Sequence, residues 1–441
     1  MQRTATLPSL GEQASALLGR LVRIDTVNPP GHERPAQELL AQLLADAGFA
    51  CELLSAEPER PNLIARLDGV EPGPTLCLLG HTDTVLADPD EWSHDPWSGD
   101  LADGFIWGRG AIDMKSQVAA EVIAGASLAA GGWRPARGAL LIVAVADEET
   151  GGELGAKWLT ETHPEKVRCD MLLNEGAGQC FSYGGRRRYG VCCAEKGVFR
   201  FTLTTRGVAA HASTPRMGEN ALLKMAPLLG RLAQRNPSYL LSDQARALLV
   251  GLGEDPQDPI AAVRHIGAED ARLLPLIEPI LGVTLSPTRI SASEKINVIP
   301  SAARLRIDCR VPPGFGEQAV RAAIAEVLGD EQQDGFQIEF TEQVEGNSSP
   351  TTSPLMDAIS GWIAEHDPGA STVPTAMPGF TDSRHFRAAF PECVAYGFFP
   401  QRHQSLLEAW PLIHSANERI NVRDLELATQ CYRDLVVRLL G

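Results

Sequence analysis

No apolar run in this chain approaches the ~18–20 residues that a membrane-crossing helix needs, so no helical span is expected. The nine cysteines are an odd number and none has C-x-x-C spacing, which argues against both a disulfide framework and a cysteine zinc site. The adjacent Cys192 and Cys193 read instead as small buried residues. Basic clusters are also missing. Nothing exceeds Arg186-Arg187-Arg188, and the formal net charge is -17, so neither nucleic acid nor an anionic membrane surface is an expected partner. The opening MQRTATLPSLGEQASALLGRL lacks the basic start and continuous apolar stretch of a signal peptide, which points to the cytoplasm.

What is present is ordinary for a folded chain: 44% hydrophobic and 22% charged residues over 441 positions, enough for two or three domains. ERPAQELLAQLLADAGF (33–49) and SQVAAEVIAGASLAAGG (116–132) carry helical spacing, the second ending in a glycine pair suited to a C-cap. NLIARLD, TLCLLG, GALLIVAVA (138–146) and DMLLN read as strands, and GELGAKWLTE as a helix. Strand and helix in alternation predict an α/β sheet covered by helices on both faces. From about Val198 the texture changes. VFRFTLTTRG and NVIPSAARLRIDCRV (297–311) alternate as half-exposed strands around the amphipathic NALLKMAPLLGRLAQ, which predicts a smaller α+β domain with an antiparallel sheet. After the polar connector EGNSSPTTSP (345–354) the first pattern returns. The expected organisation is therefore residues 1–197 and 346–441 forming one domain, with 198–345 inserted.

The chemistry gathers at element ends. In LCLLGHTDTV, His81 and Asp83 are two positions apart, so an extended chain projects both to one side at the strand's carboxyl end, where open α/β sheets place their sites. Asp113 precedes a helix, Glu148 and Glu149 follow the strongest strand, Glu175 follows another, and His414 lies in PLIHSANERI. Imidazole and carboxylate are the nitrogen and oxygen ligands that zinc and similar divalent ions accept. Adjacent side chains at a strand end diverge, so one of Glu148 and Glu149 could ligate while the other serves as a general base.

GHTDTV, WGRGAIDMK, VADEETGG, NEG, GVAAHASTPRMGENAL, NVIPSAARLRIDCR and FTDSRHF, in this order, resemble the M20 family of metallopeptidases. That family includes acetylornithine deacetylase, succinyl-diaminopimelate desuccinylase, aminoacylase and carboxypeptidases G and S. The resemblance implies a zinc-exopeptidase-like catalytic domain, a lid or dimerisation domain as the insert, and two Zn2+ ions, with Co2+ or Mn2+ as alternatives. His81, Asp113 and Glu175 would hold one ion, and Asp113, Glu149 and His414 the other. It further implies that Asp83 orients the His81 imidazole, that the Asp113-Met114 peptide is cis, and that Glu148 takes a proton from the attacking water and returns it to the leaving amine. His211 would stabilise the oxyanion from a partner subunit of a homodimer. Asn297, Arg310 and Thr381 match substrate-binding positions, and Arg310 suits a bidentate grip on a carboxylate.

The expected activity is amide hydrolysis of an N-acyl amino acid or short peptide with a free carboxylate. The alternatives are a deacylase of the acetylornithine type, a dipeptidase or carboxypeptidase, and a binding protein that kept the fold without the chemistry. A two-metal phosphate-ester hydrolase ranks below these, because the sequence has no P-loop or comparable phosphate signature. Glu195 stands where desuccinylase-like members carry an arginine, which disfavours a diacid, and Phe380 replaces a glycine common in the last motif. The Leu-rich stretch 241–282 and TDSRHF look closest to the carboxypeptidase S and N-acyl-amino-acid hydrolase branch.

Overall fold

The computed structural model describes residues 8–235 and 238–441. The chain divides into two compact units. The first contains the chain through Cys193 together with Ser349–Thr375 and Phe380–Gly441, and the second contains Ala194–Ser348 and Ala376–Gly379.

The first unit is built on a large mixed sheet. Its strands run, side by side, Ala50–Leu54, Asn62–Asp68, Arg137–Val145, Glu71–His81, Met171–Asn174, Val394–Gly397 and Arg186–Glu195. The four from Arg137–Val145 to Val394–Gly397 are mutually parallel, and the flanking strands pair antiparallel. Parallel strands are covered on both faces, which is why their sequences are continuously apolar. Leu76 and Leu78 join one core cluster with Leu140, Ile142 and Ala144, whereas Cys77 and Leu79 join a second with Leu141, Val143 and Val145. Helices Leu10–Val22, Arg34–Ala47, Lys115–Ala130 and Val422–Leu440 supply the first cluster, and Ala156–Thr162 and Ser383–Ala389 the second.

Two departures from the sequence reading have local causes. The helix expected from GELGAKWLTE begins only at Ala156, because the preceding glycines form a turn; Gly152 has φ +73°, and a Cβ there would meet Asp382 Oδ1 at 2.7 Å. The strand expected from TLCLLG is longer, Glu71–His81, since its first residues pair with the edge of Arg137–Val145.

In the second unit, strands Thr284–Ser291, Ala302–Val311, Phe201–Arg206 and Phe336–Phe340 form an antiparallel sheet. Ala303, Leu305, Ile307 and Cys309 point into a core with Met225 and Leu228 from helix Ala221–Ala233 and Val320 and Ile324 from Glu317–Leu328. Arg304 and Arg306 point to solvent, the alternation of a sheet with one wet face. The Leu-rich stretch folds as helices Asp243–Leu252 and Pro259–Glu269 followed by short turns. Among the described residues, no helix is long and apolar enough to cross a membrane.

The two faces predict different sensitivities. Leu78→Ala should cost about 2–5 kcal/mol, the range for buried leucine truncations, whereas Arg304→Ala should stay within about 0.5 kcal/mol. The shift of the urea midpoint at constant slope measures both.

Candidate dimetal centre

Three neighbouring parallel strands deliver their carboxyl ends to one edge: His81 closes Glu71–His81, Asp147 to Glu149 follow Arg137–Val145, and Glu175 follows Met171–Asn174. Such an edge is where open α/β sheets bind ligands. Asp113, two residues before helix Lys115–Ala130, and His414 reach the same place. His81 is 1% exposed, and its Nε2 lies 3.1 Å from Asp113 Oδ1, 3.9 Å from Glu175 Oε1 and 4.0 Å from Glu148 Oε2. His414, half exposed with φ +57°, sets Nε2 3.1 Å from both Asp113 Oδ2 and Glu149 Oε2. Each oxygen of Asp113 therefore faces a different imidazole. The Asp113-Met114 peptide is cis.

These groups fit divalent ions. Atoms held about 2.0–2.2 Å from one zinc at the tetrahedral angle stand about 3.3–3.6 Å apart, and the spacings here are within a few tenths of an ångström of that. Glu149 Oε1 is buried with no hydrogen-bond partner among the described residues, an acceptor lacking a positive group. His81, Glu148 and Glu175, and separately His81, Asp113 and Glu149, gather ligand atoms within 4.8 Å of one another.

Electrostatics agree with the geometry. Burial, reinforced by neighbouring carboxylates, raises the pKa of Glu148 and Glu175 well above the usual range and raises that of Glu149. Hydrogen bonding to Asp113 and then Glu149 lifts His414 to about 10. Burial opposes the charge on His81, but Asp113 and Asp83 outweigh it and hold its pKa well above normal. Asp113 is buried too, yet bonds from His414 and His81 keep it ionised.

Asp83 is fully buried beneath this group. Its Oδ1 is 3.4 Å from His81 Nδ1, which lies closer, 3.1 Å, to the Asp83 backbone carbonyl. The carboxylate accepts the backbone N–H groups of Glu148 and Glu149 at 3.2 and 3.1 Å, so it also holds the turn that presents both glutamates. Thr381 is buried in the same unit, its hydroxyl accepting from Asn174 Nδ2 and the Ser383 N–H.

His211, Asn297 and Arg310 belong to the second unit. There the Ala212 N–H donates to the Asn297 carbonyl at 3.0 Å and His211 pairs with Val298, which brings the first two together. The Ser213 N–H donates to His211 Nδ1, which leaves the proton of a neutral ring on Nε2 as a donor. Arg310 already gives Nε and Nη2 to Asp308, so its fork is partly engaged within its own strand.

Glu418 and Arg109 escaped the sequence reading. The fully buried Glu418 carboxylate accepts the N–H groups of Gly110, Ile112 and Asp113 and pairs with Arg109, so it shapes the loop that aims Asp113. Gly110 takes φ +83° there, and a Cβ would meet Thr84 Cγ2 at 2.8 Å. The available signal was an acid four residues after His414 and an arginine between glycines.

Without metal, these raised pKa values make stability fall with pH. A histidine with a raised folded pKa contributes stability below its unfolded value of about 6.5 and loses it as pH climbs through the folded value, about 10 for His414. The buried glutamates act in the same direction, because the folded chain keeps protons that the unfolded chain releases. The thermal midpoint of chelator-treated protein should therefore fall between pH 6.5 and 10. Zinc, by replacing those protons, should raise it most at the alkaline end, and His414→Gln should flatten the metal-free slope. A midpoint indifferent to both pH and zinc would contradict this arrangement.

Comparison with known proteins agrees with this architecture. A succinyl-diaminopimelate desuccinylase of Cereibacter sphaeroides is 27% identical over 425 residues, 96% of this chain and 97% of that one. An M20 family metallo-carboxypeptidase of Sulfolobus solfataricus superposes with a TM-score of 0.71 at 16% identity, covering 97% of this chain and 99% of the other. A dinuclear metal binding peptidase of Bacillus subtilis gives 0.59 at 15% identity with 98% of both chains covered; at such identities the likeness is one of fold. Residues 77–438 match the model of peptidase family M20/M25/M40, and the chain is a metallo-hydrolase of that family, acting on amide bonds.

Proposed function

We propose that the protein hydrolyses the amide bond of an N-acyl amino acid or short peptide with a free carboxylate, using two divalent ions, zinc in the first instance. The observation that carries this reading is Asp113, whose two oxygens face two different imidazoles while Glu149 Oε1 stays buried without a partner. His81, Asp113 and Glu175 would hold one ion, and Asp113, Glu149 and His414 the other. Two such ions supply Lewis-acid chemistry, polarising a carbonyl and acidifying water.

Glu148 is the proton carrier. Its carboxylate is 15% exposed at the edge of the ligand group, and burial raises its pKa, which suits a base that must also return its proton to the leaving amine. His211 would donate Nε2–H to the developing oxyanion from the second unit of a partner chain in a homodimer. Asn297, Arg310 and Thr381 would hold the substrate's carboxylate end, with Arg310 keeping Asp308 as its resting partner.

The substrate class follows from charge. Glu195 stands where desuccinylase-like members carry an arginine, so this position offers no cation to a second carboxylate on the acyl group. This favours neutral acyl chains over succinyl ones, although curated relatives bear the desuccinylase name.

Amine release from N-acetyl, N-succinyl, N-aromatic-acyl and N-long-chain-acyl amino acids and dipeptides tests the reading. Activity should fall on a neutral-acyl subset and drop at least about 100-fold in Glu148→Ala, with two zinc ions still bound per chain; loss of an ion would make Glu148 a ligand instead. No release from any member by the zinc-loaded protein would overturn the amide assignment. Co-expressing Glu148→Ala with His211→Ala should restore activity that neither shows alone, since one mixed-dimer site is then intact. Failure to do so in an isolated mixed dimer would place His211 in its own chain's site.

A further inference from the structure

Beneath the metal-facing turn lies a buried polar network that the reaction described above does not use. Asn28 turns Nδ2 toward three oxygens: Asp83 Oδ2 at 2.9 Å, Asp147 Oδ1 at 3.1 Å and Thr150 Oγ1 at 3.1 Å. Because two of these belong to carboxylates, which only accept when ionised, the amide must present its NH2 and not its oxygen. Asp147 stands at φ +72°, immediately before Glu148, and its carboxylate also takes Arg60 Nη1 at 2.9 Å and the Leu154 N–H at 3.0 Å. Arg60 in turn grips Glu33 through Nε and Nη2. Arg60 is 6% exposed and Glu33 is 0% exposed.

The charge balance gives Asn28 its task. Of the three carboxylates Glu33, Asp83 and Asp147, the Arg60 guanidinium bonds Glu33 and Asp147, while Asp83 faces His81 on its other side. Between Asp83 and Asp147 the amide of Asn28 is the shared donor. Without it Asp83 and Asp147 lose the donor that links them, and the turn they bracket carries Glu148 and Glu149. Asn28, Glu33 and Arg60 all precede the region matched by the family model, which begins at residue 77.

We infer that Asn28 is a positioning residue for the dimetal centre: by tying Asp83 to Asp147 it fixes the turn that presents Glu149 to the ions and Glu148 to the substrate water. Arg60, locked by Glu33, holds Asp147 in place for it. This rests on the dimetal reading above. It acts through hydrogen-bond donation, not through volume, and that distinction makes it testable.

Zinc affinity, measured by competition with a chromogenic chelator, reads the effect without any substrate. Asn28→Ala should weaken zinc binding about 10–100-fold, the range for lost outer partners of metal ligands, and should lower kcat with KM within about twofold. Asn28→Asp, nearly isosteric but bringing another carboxylate, should be worse than Asn28→Ala. A space-filling role predicts the reverse order, and that order would overturn the inference. Arg60→Met combined with Asn28→Ala should lose less than the product of the two single losses, because both act on Asp147. If Asn28→Ala does not fold, Arg60→Lys decides, since it keeps the charge and loses the fork; unchanged zinc affinity in that variant would overturn the inference. Wild-type protein that fails to take up two zinc ions would refute the dimetal reading itself, a result separate from any ranking of the variants.

Discussion

Asp113, Glu148, Glu149 and Glu175 repel one another at the carboxyl edge of the parallel strands, and the surrounding structure is organised to tolerate that repulsion. Gathering like charges in a poorly solvated place raises the pKa of carboxylates and destabilises the fold unless positive groups face them. His81 and His414 do so from opposite sides of Asp113, and the buried orphan oxygen of Glu149 marks where compensation by protein atoms alone stops. Such a group of oxygen and nitrogen donors suits a divalent cation.

The support is mostly backbone N–H groups pointed at buried acids. Glu418 collects three of them from the loop that ends in Asp113, and Asp83 collects two from the turn that holds Glu148 and Glu149. Glu418 and Asp83 are thereby satisfied, and each immobilises a short segment outside the strands and α-helices, a loop in one case and the single 3-10 turn Glu148–Thr150 in the other. Irregular backbone this close to a sheet edge would otherwise be the softest part of the unit. The parallel strands beneath, apolar on both faces, supply the rigid platform on which those segments rest.

Much of this was legible in the chain. Alternating strands and helices were readable because burial on two faces demands uninterrupted apolar runs, and the ligand types announced themselves by standing at the ends of those runs. The glycine-rich turn before Ala156 was not readable as a helix delay, since its backbone conformation answers to Asp382 and its neighbours, far away in sequence. Glu418, Arg109, Asn28, Glu33 and Arg60 were overlooked for a similar reason. An acid or an arginine in a polar segment looks solvated until its distant partner is known, and Glu418 and Asp113 are 305 residues apart.

The sequence by itself determined the fold class, the antiparallel character of the second unit's sheet and the family, because periodicity and short local motifs are properties of neighbouring residues. Only the tertiary structure decided which oxygen faces which imidazole, that Asp83 serves the Glu148–Glu149 turn as well as His81, and that Arg310 is already paired within its strand. Those are relations between atoms far apart along the chain or on one face of a sheet. Their distances exist only once the strands have stacked in register.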